Sequence, residues 1–201
     1  MRSTRTLLDS IAWLISAVSS PFVVFVVLIA IFISHTATGV RPLYWSAITL
    51  VLTASIPAFY IFWQVRLGKI RDPHIERRED RHRVFGVFSI SLLVGTLILW
   101  LFGAPHSFFI LTLLILLNAL CAGVITLYWK ISIHSWVLAG AITLYGLSFA
   151  VSAWFWWAAA LVPLVVWSRV YRRRHTVWQG YAGALAGGFL TLLLYNIFVR
   201  P

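Results

Sequence analysis

Between Ser168 and Gln179 the chain reads Ser-Arg-Val-Tyr-Arg-Arg-Arg-His-Thr-Val-Trp-Gln, a row of guanidinium groups that closes on an imidazole and a hydroxyl. Guanidinium forks bind phosphate oxygens in pairs. An imidazole held beside them can attack phosphorus and carry the phosphoryl group. The same cluster of Arg172, Arg173 and Arg174 beside an apolar segment is also what marks a cytoplasmic loop of a membrane protein.

Two further polar segments bear on that choice. Lys130-Ile131-Ser132-Ile133-His134 opens an apolar run, where lysine, serine and histidine at i, i+2 and i+4 are costly unless they face a polar cavity or the interface. Asp72-Pro73-His74-Ile75-Glu76-Arg77-Arg78-Glu79-Asp80-Arg81-His82-Arg83 carries charges of both signs. A helix begun after Pro73 sets Arg77 and Arg81 on one side at i, i+4, with Arg78 adjacent. Taken singly, His134 fits a structural role and the 72–83 segment fits a solvated helix of mutually compensating charges. No Cys/His/Asp cluster has zinc-type spacing, and HExxH, GxSxG and a Gly-rich phosphate loop are all missing from the sequence. The expectation is a phosphate site without metal or cofactor.

The elements that position these groups are membrane helices. The chain is 61% hydrophobic and only 10% charged, with a mean hydropathy of +0.92, far more apolar than a soluble domain. At about 20 residues per span, apolar runs predict helices near 11–34, 45–65, 85–103, 107–128, 133–151, 154–168 and 178–198. The fold class is therefore an all-α polytopic bundle of about six to seven spans, read as one domain over residues 1–201. The first run is longer than a signal peptide's apolar region and lacks a small-x-small cleavage site, so it reads as a retained helix. Cys121 lies within an apolar run and reads as a small core residue. Tryptophans and tyrosines gather where spans end, as interfacial belts do.

Threading the spans puts all of the 16 lysines and arginines except Arg41 and Arg200 on one face. The positive-inside rule makes that face cytoplasmic. The net charge of +11 is spread over short loops that give no surface broad enough to track a duplex. Anionic membrane lipid or a lipid-linked phosphate is the expected partner, and nucleic acid is not.

Joined together, the segments resemble the type-2 phosphatidic acid phosphatases, lipid phosphate phosphatases related to vanadium haloperoxidases. That family carries Lys-x6-Arg-Pro, then Pro-Ser-Gly-His, then Ser-Arg-x5-His-x3-Asp. Here Ser168-Arg169, five residues, His175, three residues and Gln179 match the third motif, with Gln179 in place of the acid, followed by Gly183 and Gly187. The second keeps Ser132 and His134, with Ile131 and Ile133 in place of proline and glycine. The first is degenerate, with only the cation spacings Arg71-x6-Arg78 and His74-x6-Arg81, and two spans intervene before the second. The likeness is closer to divergent bacterial members with Lys-Ile-Ser-x-His and Arg-His-Thr-x-x-Gln. It spans 130–190 firmly and 69–190 loosely.

The resemblance implies a phosphohistidine mechanism on a lipid phosphate. In it His175 is the nucleophile, His134 the general acid and Gln179 the group that orients His175. Arg169, Ser132, Lys130 and the arginines Arg77, Arg78 and Arg81 hold the phosphate; the family works at the outer face of the cell membrane, whereas the charge count here sets the site at the cytoplasmic face. Candidate substrates are phosphatidic acid, phosphatidylglycerophosphate and a polyprenyl phosphate. Two rival readings remain at this level: a prenyl diphosphate-using transferase or cyclase, which would need aspartates such as Asp72 and Asp80 to hold magnesium, and a non-enzymatic lipid-binding protein.

Overall fold

The computed structural model describes residues 6–36, 41–69, 78–149 and 153–199. Among the described residues every regular element is a helix: α1 (Leu7–Val18), α2 (Pro21–Thr36), α3 (Arg41–Leu50), α4 (Ile56–Arg66), α5 (Arg78–Leu101), α6 (His106–Tyr128), α7 (Ile133–Phe149), α8 (Ala153–Tyr171) and α9 (Val177–Phe198). A π-helical turn at Val51–Ser55 joins α3 to α4. Among the described residues four segments are long and apolar enough to cross a membrane: Leu43–Arg66, Arg83–Leu101, His106–Tyr128 and Val177–Phe198. A fifth is added if α1 and α2 count as one bent span, and α7 and most of α8 are apolar but shorter.

The first apolar run, expected to be one helix over 11–34, is instead two, with Leu7–Val18 and Pro21–His35 bent by 52°. Pro21 causes the break. It has no N–H to donate into the preceding turn, and it disfavours helical geometry at Ser20. Ser19 closes α1, its hydroxyl donating to the Ile15 carbonyl at 2.7 Å. At the other end Thr6 and Asp9 form a capping box, Thr6 Oγ1 accepting from the Asp9 N–H at 3.2 Å and Asp9 Oδ2 accepting from the Thr6 N–H at 3.0 Å.

The helices fall into two compact units, one of residues 1–24 with 131–195, the other of residues 25–130 with 196–201. In the first unit, Val24, Leu138, Ile142 and Val165 form a buried cluster, against which Ile15, Val137, Phe155, Ala158 and Val162 pack. Helices α7 and α9 meet backbone to backbone. A Cβ on Gly183 would fall 2.5 Å from the Ser132 carbonyl oxygen, and one on Gly187 would strike the Trp136 carbonyl. Small residues at such contacts are how helices gain packing in lipid, where burial from water supplies no drive. Farther along, the Tyr195 hydroxyl donates to the Leu147 carbonyl at 3.1 Å.

In the second unit α5 packs on α6, whose Phe108, Leu111 and Leu114 are almost fully buried. The π-helical turn lies against α5, where the Ser91 hydroxyl donates to the Leu52 carbonyl at 2.7 Å. A wider π turn leaves carbonyls without their usual helical partner, and Ser91 supplies one. Helices α4 and α5 both end on left-handed glycines, Gly68 and Gly103, each at φ +68°.

Candidate functional site

Everything the third motif positions hangs on how α8 stops. Arg173 N–H donates to the Val170 carbonyl at 2.8 Å and Arg174 N–H to the Arg169 carbonyl at 2.9 Å. These are the paired 5→2 and 6→1 bonds of a Schellman C-cap. The residue at the left-handed position of that cap is Arg173, at φ +54°, the one non-glycine with positive φ among the described residues. Left-handed backbone costs an L-residue about 1–2 kcal/mol, so the arginine row is kept here against a local penalty that glycine avoids at Gly68 and Gly103. The turn then delivers His175, whose N–H also reaches the Arg169 carbonyl, at 3.3 Å.

Helix α9 begins at once. Thr176 is its N-cap: Thr176 Oγ1 accepts from the Gln179 N–H at 3.3 Å, and Gln179 Oε1 accepts from the Thr176 N–H at 3.1 Å. This reciprocal capping box satisfies two donors that a helix start otherwise leaves open. The same Oε1 lies 3.3 Å from His175 Nδ1. A backbone N–H must have an acceptor, so the Thr176 bond settles which end of the amide is oxygen. An oxygen facing Nδ1 makes that ring nitrogen the protonated one. The neutral imidazole then keeps its lone pair on Nε2, the nitrogen a nucleophile needs. Gln179 thus serves both as helix cap and as the group that selects the His175 tautomer.

The second motif meets the third through the backbone. Ser132 is the N-cap of α7, its carbonyl taking the first helical bond from Trp136 N–H at 3.0 Å. Its own N–H donates to the Gln179 carbonyl at 3.1 Å. Ser132 is fully buried, and its hydroxyl pairs with that of Ser135 at 3.1 Å. His134, two residues on, is half-buried in the first turn of α7. Two helix starts therefore come together, and positive helix ends favour anions.

Arg169 is only 3% exposed, and its Nη1 donates to Ser16 Oγ on α1 at 2.6 Å. Its neighbour Ser168, fully buried, donates through Oγ to the Ala12 carbonyl, also at 2.6 Å. Of the residues singled out from sequence, Ser132, Arg169, His175 and Gln179 form one bonded chain, with His134 beside it in sequence. Lys130 is exposed and ends the second unit. Arg78 and Arg81 lie in the first turn of α5, and Arg77 lies outside the described residues. Two participants escaped the sequence reading. Ser135 was visible in its i+3 relation to Ser132. Ser16 had no signal at all, since 153 residues separate it from Arg169.

Comparison with known proteins finds no matching family model, no matching curated protein and no matching solved structure.

Proposed function

We propose that the chain is a lipid phosphate phosphatase of the cell membrane, cleaving a phosphomonoester or diphosphate carried by a lipid such as phosphatidic acid, phosphatidylglycerophosphate or a polyprenyl phosphate. The observation that carries the reading is the junction of the two motifs. Ser132 N–H bonds the Gln179 carbonyl while the Gln179 side chain meets His175, so residues more than forty positions apart are joined within one unit.

In this mechanism His175 Nε2 attacks phosphorus and the bond to the lipid oxygen breaks. His134 gives that oxygen its proton. Water then attacks the phosphohistidine and passes a proton to His134, the P–N bond breaks, and inorganic phosphate leaves with Nε2 and the His134 acid both restored. Arg169 and the starts of α7 and α9 offset the charge on the phosphoryl oxygens, which is where most catalysis of phosphoryl transfer lies. Ser132 contributes by holding the start of α7, its hydroxyl already engaged by Ser135. The proposal rests on residues of the first unit alone.

The same reading takes the two shorter helices, Ile133–Phe149 and Phe155–Tyr171, as spans, which with the others makes seven, and sets the cation-rich face in the cytoplasm by the positive-inside rule. A phosphate-release assay on the three lipid classes, run in EDTA, tests it. Turnover in chelator is expected, because histidine acts as the nucleophile. His134→Ala is expected to slow lipid substrates by about 10²–10⁴-fold and aryl phosphates far less, since an acidic leaving group needs no proton. Loss of activity in EDTA with recovery in magnesium would favour the prenyl-transfer reading instead.

A further inference from the structure

Helix α1 is twelve residues long, about 18 Å at 1.5 Å per residue, too short to cross a hydrocarbon core of about 30 Å. Its two faces are unlike. Ala12 and Ser16, one turn apart, are 0% and 1% exposed, while Leu7, Ile11, Leu14 and Val18 all face outward. Large apolar groups outside and small ones inside is the pattern of a helix that meets lipid on one face and a close helix neighbour on the other.

The neighbour is α8, and the small face lets it approach within hydrogen-bond reach. The two bonds that result differ in kind. Ser168 donates to the Ala12 backbone carbonyl, an acceptor that any residue at position 12 would offer. Arg169 donates to the Ser16 hydroxyl, an acceptor that depends on the side chain at position 16. A hydroxyl orients a guanidinium without contributing a negative charge to it. Arg169 is also the residue whose carbonyl receives the N–H groups of Arg174 and His175. One arginine therefore ties α1 to the turn that carries the nucleophile.

We infer that Ser16 is a positioning residue, its hydroxyl fixing the Arg169 guanidinium in the orientation in which it meets the oxygens of a substrate phosphate. Helix α1 is then part of the site as well as a membrane element. The inference rests on the proposed phosphatase reading.

The test uses the full chain in detergent micelles. It measures phosphate release from phosphatidic acid, phosphatidylglycerophosphate and undecaprenyl phosphate, inhibition by orthovanadate, and thermal melting. Ser16→Ala is expected to lower kcat/KM by about tenfold or more, as misplacing a positioned group does, and to weaken vanadate inhibition. Ser16→Thr is expected to restore both. Ser16→Asp separates positioning from mere attachment. A carboxylate strengthens the tie between α1 and α8, so melting is held at or above the alanine variant, while the paired guanidinium grips vanadate less well than in Ser16→Ala. Wild-type kcat/KM and vanadate inhibition in Ser16→Ala, alongside inactive Arg169→Ala and His175→Ala, would overturn the role of Ser16 and leave the phosphatase reading standing. So would activity that follows melting temperature alone across all three variants. Undiminished phosphate release by His175→Ala, or none from any of the lipids by the wild type, would overturn both.

Discussion

A single oxygen atom carries two duties at the centre of the proposed site. Gln179 Oε1 accepts from the Thr176 backbone and faces His175 Nδ1, so truncating it should be felt in both stability and chemistry. Gln179→Leu is expected to cost about 1 kcal/mol of stability, the usual size of a lost cap, and to lower phosphate release by about 10²-fold or more as the tautomer is released. Gln179→Glu keeps the reach of the capping box and puts a carboxylate against Nδ1, which stabilises the imidazolium that follows attack. Its activity is expected to equal or exceed wild type. Gln179→Asp should orient the imidazole as well, with a shorter reach to Thr176. Thermal melting and phosphate release on the purified variants check all three. At this scale the sequence was informative wherever partners are near neighbours. His175 and Gln179 at i, i+4 and Thr176 and Gln179 at i, i+3 are spacings that can be read directly. The clasp of Arg169 by Ser16 is not such a spacing, because tertiary packing of α1 on α8 creates it.

Among the elements, the α8–α9 turn and the α7–α9 contact position the histidine and the second motif. Arg173 occupies a left-handed cap that glycine fills more easily, so Arg173→Gly is expected to melt no lower than wild type and up to about 1 kcal/mol more stable. Any loss of phosphate release in that variant would report the arginine's charge, since the backbone is relieved. Gly183→Ala acts on the other contact. The new methyl group would lie 2.5 Å from the Ser132 carbonyl oxygen, against backbone that cannot move aside cheaply, and α9 must shift away from the start of α7. The bond from Ser132 N–H to the Gln179 carbonyl is then lost. Destabilisation of about 1–3 kcal/mol is expected, the range for an overpacked contact, with phosphate release falling further than the loss of folded protein explains. Activity per folded molecule, from calorimetry and assay on one preparation, separates the two effects. Most helix positions could be read in advance because charged or glycine-containing turns bound the apolar runs. The runs predicted at 107–128, 133–151 and 178–198 match α6, α7 and α9 closely. The break in the first run falls at Ser19-Ser20-Pro21, where proline removes a helical donor and disfavours helical geometry at the residue before it, yet hydropathy averaged over 11–34 passes through it.

For the whole molecule, long-range contacts decide what the composition could not. A mean hydropathy of +0.92 and the run lengths point to a helical membrane chain. The grouping of residues 1–24 with 131–195 depends on contacts such as Ser168 with Ala12, 156 residues apart. That grouping sets Ser16, Ser132, Arg169, His175 and Gln179 in one unit, and it is why the account rests on them. The central claim is that His175 is a nucleophile toward a lipid phosphate. Phosphate release by His175→Ala tests this most directly, measured in EDTA on whichever lipid phosphate the wild type turns over, with melting in detergent confirming the fold. The account predicts a fall of at least about a thousandfold in a protein that still melts as a folded chain. A folded His175→Ala protein that released phosphate at the wild-type rate would contradict it, and the arginine row would then stand as a marker of topology alone.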